Sequence, residues 1–307
     1  MSQNVFFSII VVCLNAGDEL IKTVDSVRHQ TCTDYEILVK DGGSKDGSLE
    51  KLPQEERIQT VVCKDKSIYD AMNQASTYAK GRYVLYLNCG DYLADETVLE
   101  QVKKRILENG EVSPAEPPHG DASPAKAIRA NARAAKDNPT AKDNRANARA
   151  AGGSIYYGDI IERKTGQKVA SNPRLNEFAL YRNIPCHQAC FYSLDLIHGR
   201  TPVYDTDFPV RADYEHFLWC CLQMKAQTHH TGVTVCSYEG GGFSETGEHA
   251  KKAGREHKAI TARYMSPGAR RKYKMIMILT LQPLRKALAG SKTFAGLYQG
   301  LKRRVYK

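Results

Sequence analysis

A chain of 307 residues with 42% hydrophobic and 25% charged residues can bury a substantial core, as one large domain or two small ones, and is too apolar for global disorder. No run approaches the ~18 apolar residues of a membrane-spanning helix. The formal charge of +10 is uneven: residues 250–307 hold 16 Lys or Arg against Glu256 alone, so this tail carries +15 and the remainder −5.

In chain order, the start MSQNVFFSIIVVCLN has no basic leader and reads as a buried strand, not a signal peptide. Phe6 to Cys13 is a continuous apolar run, as expected of a strand covered on both faces. Residues 17–30 follow as a helix, with Leu20, Val24 and Val27 at helical spacing. Tyr35 to Val39 is a second strand, ended by Asp41-Gly42-Gly43. A short helix around 46–52 precedes a third strand, Ile58 to Cys63. Residues 67–80 form a helix with Ile68, Met72, Ala75 and Ala79 on one face, stopped by Gly81. Tyr83 to Leu87 is the fourth strand and 95–107 another helix. This alternation predicts an α/β fold: a mixed, mostly parallel sheet flanked by helices, with ligands gathering at the carboxyl ends of the strands. Those ends are Asn15, Asp41, Asp65 and the segment Asn88 to Asp91.

Residues 112–153 break the pattern. They lack aromatic residues and repeat RANARAA at 129–135 and 145–151, and they read as an insertion outside the fold core. Residues 154–170 then read as a hairpin around Lys164–Gly166, and His187 to Tyr192 as an apolar strand. Residues 212–225 read as a helix with Phe217, Leu218, Cys221 and Leu222 inward. Gly240-Gly241-Gly242 reads as a mobile loop. Residues 246–264 and 268–305 look helical, interrupted by Pro267 and Pro283. The resulting divisions are 1–111, 112–153, 154–249 and a basic amphipathic tail, 250–307.

Nine scattered cysteines, without a framework spacing, fit reduced thiols in a cytoplasm. Cys186, His187 and Cys190 lack a second ligand pair at finger spacing, which argues against zinc.

Four acidic clusters could carry chemistry. In KDGGSKDGS (40–48), Asp41 meets two glycines, so backbone can approach a ligand closely; an ordinary Asp-Gly turn is the alternative. In DKSIYDAMN (65–73), Asp65 precedes a helix that Ser67 could cap, with Asp70 a plain solvated position. In YLNCGDYL (86–93), Asp91 at a strand's carboxyl end could hold a hard divalent cation that also binds phosphate, and Gly90 leaves room for both. In VRADYEHFLW (210–219), Asp213 opens a helix, where the helix end itself stabilises a carboxylate.

Taken together, their order and spacing resemble family 2 glycosyltransferases of the GT-A fold. SIIVVCLNAGDEL is similar to that family's opening strand and loop, and KDGGSKDGS to its VDGGSxDGT element. DKSIYDAMNQA…AKGRYVLYLNCGD is close to DxGIYDAMNxGI…AxGxYxxFLNSGD, and PCHQACF with RADYEHFLWCCL matches the acceptor-side PxHQxxF and the ADYxxxL helix. The resemblance runs through roughly 7–245 apart from the insertion, and is strongest in the subgroup building bacterial surface polysaccharides. It implies an inverting transferase taking its sugar from a nucleotide-diphosphate-sugar donor. Asp41 and Asp65 would hold the base and ribose, within a donor site of Asn15, Asp41, Gly42, Asp65, Tyr69, Asn73, Asn88 and Gly90. Asp91 would hold Mn2+ or Mg2+, Asp213 would be the catalytic base, and His187 and Gln188 would line the acceptor side. The acceptor implied is a glycan or a polyprenyl-linked sugar. Two departures stand out: Asn88 replaces the usual metal-motif Asp, which implies weaker cation binding, and Ser67 replaces a frequent Gly.

The tail segment RRKYKMIMILTLQPLRKAL (270–288) sets Met275 to Leu279 between basic clusters. An amphipathic helix of this kind lies on an anionic membrane surface, so residues 268–307 predict a cytoplasmic protein peripheral to the inner face of the cell membrane. A helix packed on the body is the alternative. Sparse tail aromatics and the lack of a nucleic-acid motif argue against nucleic acid. Two further functional readings remain at this point: a sugar nucleotidyltransferase, disfavoured because CLNAGDEL lacks a Gly-rich basic loop, and a non-catalytic membrane-associated assembly protein, disfavoured because Asp91 and Asp213 are both present.

Overall fold

The computed structural model describes residues 5–110, 152–239 and 247–279. The insertion up to residue 151, the triple glycine and Pro283 lie outside the described residues. The chain divides into two units, one up to Glu256 and one from His257.

The first unit is built on a single sheet. Its opening half comprises β1 (Phe7–Cys13), α1 (Asp18–Arg28), β2 (Tyr35–Asp41), a 3-10 turn at Leu49–Lys51, β3 (Ile58–Val62), α2 (Ile68–Ser76), β4 (Tyr83–Asn88), β5 (Tyr92–Leu93) and α3 (Val98–Glu108). Every residue of β1 and β2 is buried, which explains why both runs are apolar without alternation. The order β3-β2-β1-β4 is parallel throughout, with Cys13 beside Asp41 and Val12 beside Asn88. The carboxyl ends of β2, β1 and β4 therefore lie side by side. The chain reverses its direction across the sheet between β1 and β4, the place where such sheets bind ligands.

α1 turns Leu20, Thr23, Val24 and Val27 inward, and α3 turns Val98, Leu99, Val102 and Ile106. These pack with Ile9, Val11, Ile37, Val39, Leu85 and Leu87 into one core. α2 differs from its expected face: Ile68 is 40% exposed while Tyr69 is buried. Ser67 caps the helix by accepting the Asp70 N–H, and the capping geometry rotates the first turn so that Tyr69 points inward.

The second half extends the same sheet with β6 (Ser154–Glu162), β7 (Gln167–Val169), α4 (Glu177–Arg182), β8 (Cys190–Ser193), α5 (Leu194–His198), α6 (Ala212–Leu218) and β9 (Gln227–Tyr238). The sheet continues β4-β8-β6-β9-β5, with β7 pairing β6; β8 is antiparallel to both neighbours and β6 runs parallel to β9. The hairpin at 154–170 forms as expected.

Other elements also depart from the sequence reading, and α4 and α5 have no counterpart in it. The strand expected over 187–192 begins only at Cys190, because His187–Ala189 form a 3-10 turn closed by Ala189 N–H to the Cys186 carbonyl at 2.9 Å. There His187 and Gln188 meet polar side chains from other elements. The helix expected over 212–225 is α-helical only to Leu218 and finishes in a wider π turn at Trp219–Gln223. The extra residue in that turn shifts the buried face, so Cys220, not Cys221 or Leu222, is buried. β9, the longest strand, has no counterpart in the sequence reading. Its first half, QTHHTG, is polar and contains Gly232 at φ 73°, and only Val233, Val235 and Cys236 carry an apolar signal.

The second unit begins within α7 (Gly247–Tyr264), whose residues up to Glu256 belong to the first, and continues with α8 (Pro267–Leu279). No helix among the described residues is long and apolar enough to cross a membrane.

Candidate active site

Among the expected site residues, Asn15, Asp41, Asn88 and Asp91 come from the adjoining carboxyl ends of β1, β2 and β4, while Asp65 follows β3, His187 and Gln188 lie in the turn before β8, and Asp213 lies on α6. They fall into two groups. In the first, Asp41 is fully buried and spends its carboxylate on its own loop. Oδ1 accepts the N–H groups of Gly43 and Ser44, each at 2.7 Å, and Oδ2 accepts the Ser44 hydroxyl and the Cys13 thiol. Burial opposes ionisation of Asp41, but these donors outweigh it and hold the carboxyl below the usual range. The Cys13 thiol stays protonated, pushed far up by its hydrogen bond with Cys89 and then by burial. Asn15, in a left-handed conformation at φ 49°, ties the two loops together: its N–H donates to Ser44 Oγ and its Oδ1 accepts the Lys45 N–H.

Asp65 is held by a residue the sequence reading passed over. Lys40, with no exposed side-chain surface, donates from Nζ to Asp65 Oδ2 at 2.9 Å and to the carbonyls of Asp41 and Cys63. Three acceptors match the three protons of the ammonium, which is what lets it be buried. The signal was legible as a lone Lys in the apolar run YEILVKD. A Cβ at Gly42 would lie 2.8 Å from Asp65 Oδ2, so the glycine is what permits this approach.

The second group joins two carboxylates through one dipeptide. Gln188 Nε2 donates to Asp91 Oδ2 at 2.9 Å, and the His187 Nδ1 lies 3.6 Å from Asp213 Oδ2. Gln188 Oε1 accepts the Cys186 thiol, which leaves its amide nitrogen facing Asp91. Asn88 Nδ2 is 3.3 Å from His187 Nε2. Gly90, at φ 92°, allows the turn in which the Asp91 N–H donates to the Asn88 carbonyl at 3.0 Å; the Gly90 N–H donates to Thr23 Oγ1. Tyr69 and Asn73, expected at the donor, are committed elsewhere. The Tyr69 hydroxyl donates to Asp213 Oδ1 at 3.0 Å, and Asn73 pairs with the backbone N–H and carbonyl of Tyr204.

The two acids differ electrostatically. Burial raises the Asp91 carboxyl, only partly offset by Gln188, His187, Arg163 and a hydrogen bond from the Asn88 side chain. Asp213 also suffers burial, but His187, the Tyr214 N–H and the Tyr69 hydroxyl together hold it below the usual range. Burial, and then the charge of Asp213, push the Tyr69 phenol well up, so it remains a donor.

A divalent cation fits this corner. Asn88 Oδ1 is buried and accepts no hydrogen bond, and the Asp91 carboxylate is buried with its ionisation disfavoured. Both are hard oxygen donors of the kind Mg2+ and Mn2+ prefer. No group of three or more His, Cys, Asp or Glu among the described residues is arranged to hold a metal. Protein ligands this few suit an ion that shares its coordination with phosphate oxygens.

Two more residues lacked any sequence signal. Arg163, at the end of the β6 strand, donates to the carbonyls of Gly90 and Ser237 and lies 4.3 Å from the centroid of the Tyr92 ring, so it pins the Asn88–Asp91 loop to β9. Glu256 accepts the N–H groups of Val210 and Arg211 just ahead of α6, which carries Asp213.

Comparison with known proteins fits this geometry. Residues 8–161 match the family model for Glycosyl transferase family 2. Over 246 residues the chain is 30% identical to the PGL/p-HBAD biosynthesis glycosyltransferase of Mycobacterium tuberculosis, covering 78% of this chain and 79% of that one. Among solved structures, S. aureus TarS superposes with a TM-score of 0.58 at 13% identity, over 94% of this chain; this chain spans 44% of TarS. The mannosyltransferase PcManGT from Pyrobaculum calidifontis, in complex with GDP-Man and Mn2+, gives 0.53 at 14% identity, over 95% of this chain and 83% of that one. At such identities the structural likeness establishes the shared fold.

Proposed function

This chain belongs to glycosyltransferase family 2 and is a glycosyltransferase, and on that premise we propose that it moves a sugar from a nucleoside-diphosphate-sugar onto an acceptor hydroxyl, with inversion at the anomeric carbon. The observation that carries the reading is the pairing of Asp213 with Asp91 through His187 and Gln188, at the carboxyl edge of the sheet.

Asp213 is the general base. Its depressed pKa keeps it ionised at neutral pH, and the Tyr69 hydroxyl fixes one oxygen so that the other can receive a proton. It takes the proton of the acceptor hydroxyl as that oxygen attacks the anomeric carbon, opposite the departing nucleoside diphosphate. One displacement inverts the configuration and needs no covalent enzyme intermediate. Asp91 and Asn88 Oδ1 would hold Mn2+ or Mg2+. When bound, the ion would neutralise charge developing on the diphosphate. Arg163, fixed beside the same loop, adds a positive charge there. Asp65, oriented by Lys40, and the loop braced by Asp41 and Asn15 form the nucleotide side.

The fold neighbours with GDP-Man and with UDP-GlcNAc support a nucleotide-sugar donor. The mycobacterial relative, named for PGL/p-HBAD biosynthesis, supports a role in making a cell-surface glycolipid or polysaccharide, with a glycan or polyprenyl-linked acceptor. Such acceptors place the enzyme at the cytoplasmic face of a membrane, and the basic tail suits that position.

The test is a panel of nucleotide-sugars assayed for released nucleoside diphosphate, run with Asp213→Asn in parallel. The variant is nearly isosteric but cannot take the proton. Donor binding should be retained while transfer falls by the ~10²–10⁴-fold of a lost general base. Transfer at the wild-type rate in Asp213→Asn would place the base elsewhere.

A further inference from the structure

We propose that Asn73 is a positioning residue for the base: with Tyr69, one helical turn before it, it ties the segment leading into Asp213 to α2. The inference deepens the reading of Asp213 as the general base and rests on it. Between α5 and α6 the chain runs from Gly199 to Arg211 without helix or strand. Backbone outside a helix or ladder must find other partners for its polar groups. Side chains supply them at two points on the way to Asp213.

The first point is Tyr204. Its N–H donates to Asn73 Oδ1 at 2.7 Å, and its carbonyl accepts from Asn73 Nδ2 at 2.9 Å. One amide thus stands in for a neighbouring strand, offering an acceptor and a donor side by side. The Tyr204 ring is fully buried, with the rings of Tyr69, Tyr86 and His216 at centroid distances of 5.4, 5.2 and 5.2 Å. His216 lies on α6 with Asp213. The second point is Val210. Its N–H donates to Glu256, and its carbonyl lies 3.2 Å from the Tyr69 hydroxyl that also reaches Asp213 Oδ1.

Tyr69 and Asn73 are four residues apart on α2 and so share a face. That face holds Tyr204, Val210 and Asp213, all more than a hundred residues further along the chain. α2 opens at Ile68, directly after the segment that holds Asp65, so one short helix joins the nucleotide side to the base. With both ends of its amide bound to Tyr204, Asn73 serves the base and not the donor. It is partly exposed, so truncating it loosens the segment without opening a buried cavity.

The test reads release of nucleoside diphosphate from whichever nucleotide-sugar of the panel above the wild type turns over fastest. Asn73→Ala should lower kcat by up to ~10²-fold, the cost of a reacting group displaced by about 1 Å, and leave KM for the donor unchanged. In an Asp213→Asn background the same substitution should cause no further loss, because the group it positions no longer takes a proton. Hydrogen exchange should quicken in residues 204–211 and stay at wild-type rates in β1, β2 and β4. Asn73→Asp is nearly isosteric and sets a carboxylate oxygen against the Tyr204 carbonyl. It should show the same loss in kcat alone, and it carries the test if Asn73→Ala fails to fold.

A raised donor KM at unchanged kcat would make Asn73 a donor ligand. An equal fall in kcat in both backgrounds would make it general support for the fold, and an unchanged kcat would show that the segment holds itself. Each of these overturns the proposal alone. Wild-type release by Asp213→Asn, or no release by the wild type from any nucleotide-sugar, removes the base reading and this inference with it.

Discussion

Asp91 and Asp213 are chemically identical side chains that their surroundings drive apart. Burial dominates at Asp91 and raises its pKa, whereas three hydrogen-bond donors more than offset burial at Asp213. A raised carboxyl destabilises the native state wherever it must ionise. Below the unfolded-state pKa of about 4 the group is protonated in both states and costs nothing; as pH rises through the folded value the cost appears in full. Asp91→Asn should therefore raise the melting temperature at neutral pH in cation-free buffer, by about 2–4 °C per kcal/mol relieved in a domain of this size. The Asn oxygen can still accept from Gln188. The gain should vanish in acid, and cation-dependent transfer should be lost. A scan of melting temperature against pH checks this; a variant that melts below the wild type at neutral pH would contradict the electrostatic account.

α6 is a helix of seven residues, too short to hold itself, and its position decides where Asp213 points. Two contacts fix it. At its start Glu256 Oε2 accepts the Val210 N–H at 3.1 Å and the Arg211 N–H at 2.9 Å, a cap supplied from a distant helix. Further along, Arg200 forms a two-pronged ion pair with the fully buried Glu215. Glu256→Ala should leave the Val210 N–H unsatisfied, at ~1–3 kcal/mol if water cannot reach it, and the Arg211 N–H with only its 3.2 Å bond to the Phe208 carbonyl. Stability and turnover should fall together, because the displaced helix end carries the base. Glu256→Gln keeps a carbonyl acceptor and should stay close to the wild type. Thermal melts and kcat of both variants decide the matter. Wild-type behaviour in Glu256→Ala would show that the cap is dispensable.

Across the whole molecule, charge separates a body of −5 from a tail of +15. Anionic headgroups repel the first and attract the second, by up to ~1 kcal/mol per basic residue near the surface. α8 combines that charge with apolar surface: Met275, Ile278 and Leu279 are 53%, 49% and 74% exposed, beside Arg270, Arg271, Lys272 and Lys274. Residues 280–307 lie outside the described residues, but their sequence adds more basic residues. Truncation after Pro267 should release the protein from anionic vesicles while sparing donor hydrolysis. Binding of the full chain should weaken as salt screens the attraction. Equal vesicle binding by truncated and full-length protein would leave the tail as a packing element.

The sequence by itself determined the parallel half of the sheet, because buried strands such as FSIIVVC and YVLYL must be apolar throughout and helices such as α1 must show a 3.6-residue period. It also located the acids, since strand ends and glycines mark where backbone opens to a ligand. The family match then removed the nucleotidyltransferase and non-catalytic alternatives. What each acid is bonded to was decided only by tertiary structure. Lys40 and Asp65 are 25 residues apart, Tyr69 and Asp213 are 144 apart, and Gln188 and Asp91 are 97 apart. No local pattern encodes such pairs. β9 escaped notice for the same reason: its polar first half takes strand form because β6 supplies a parallel partner, through bulges around Asp159. Periodicity reports the side a residue buries, whereas the chemistry here depends on hydrogen-bond partners that only folding brings within reach.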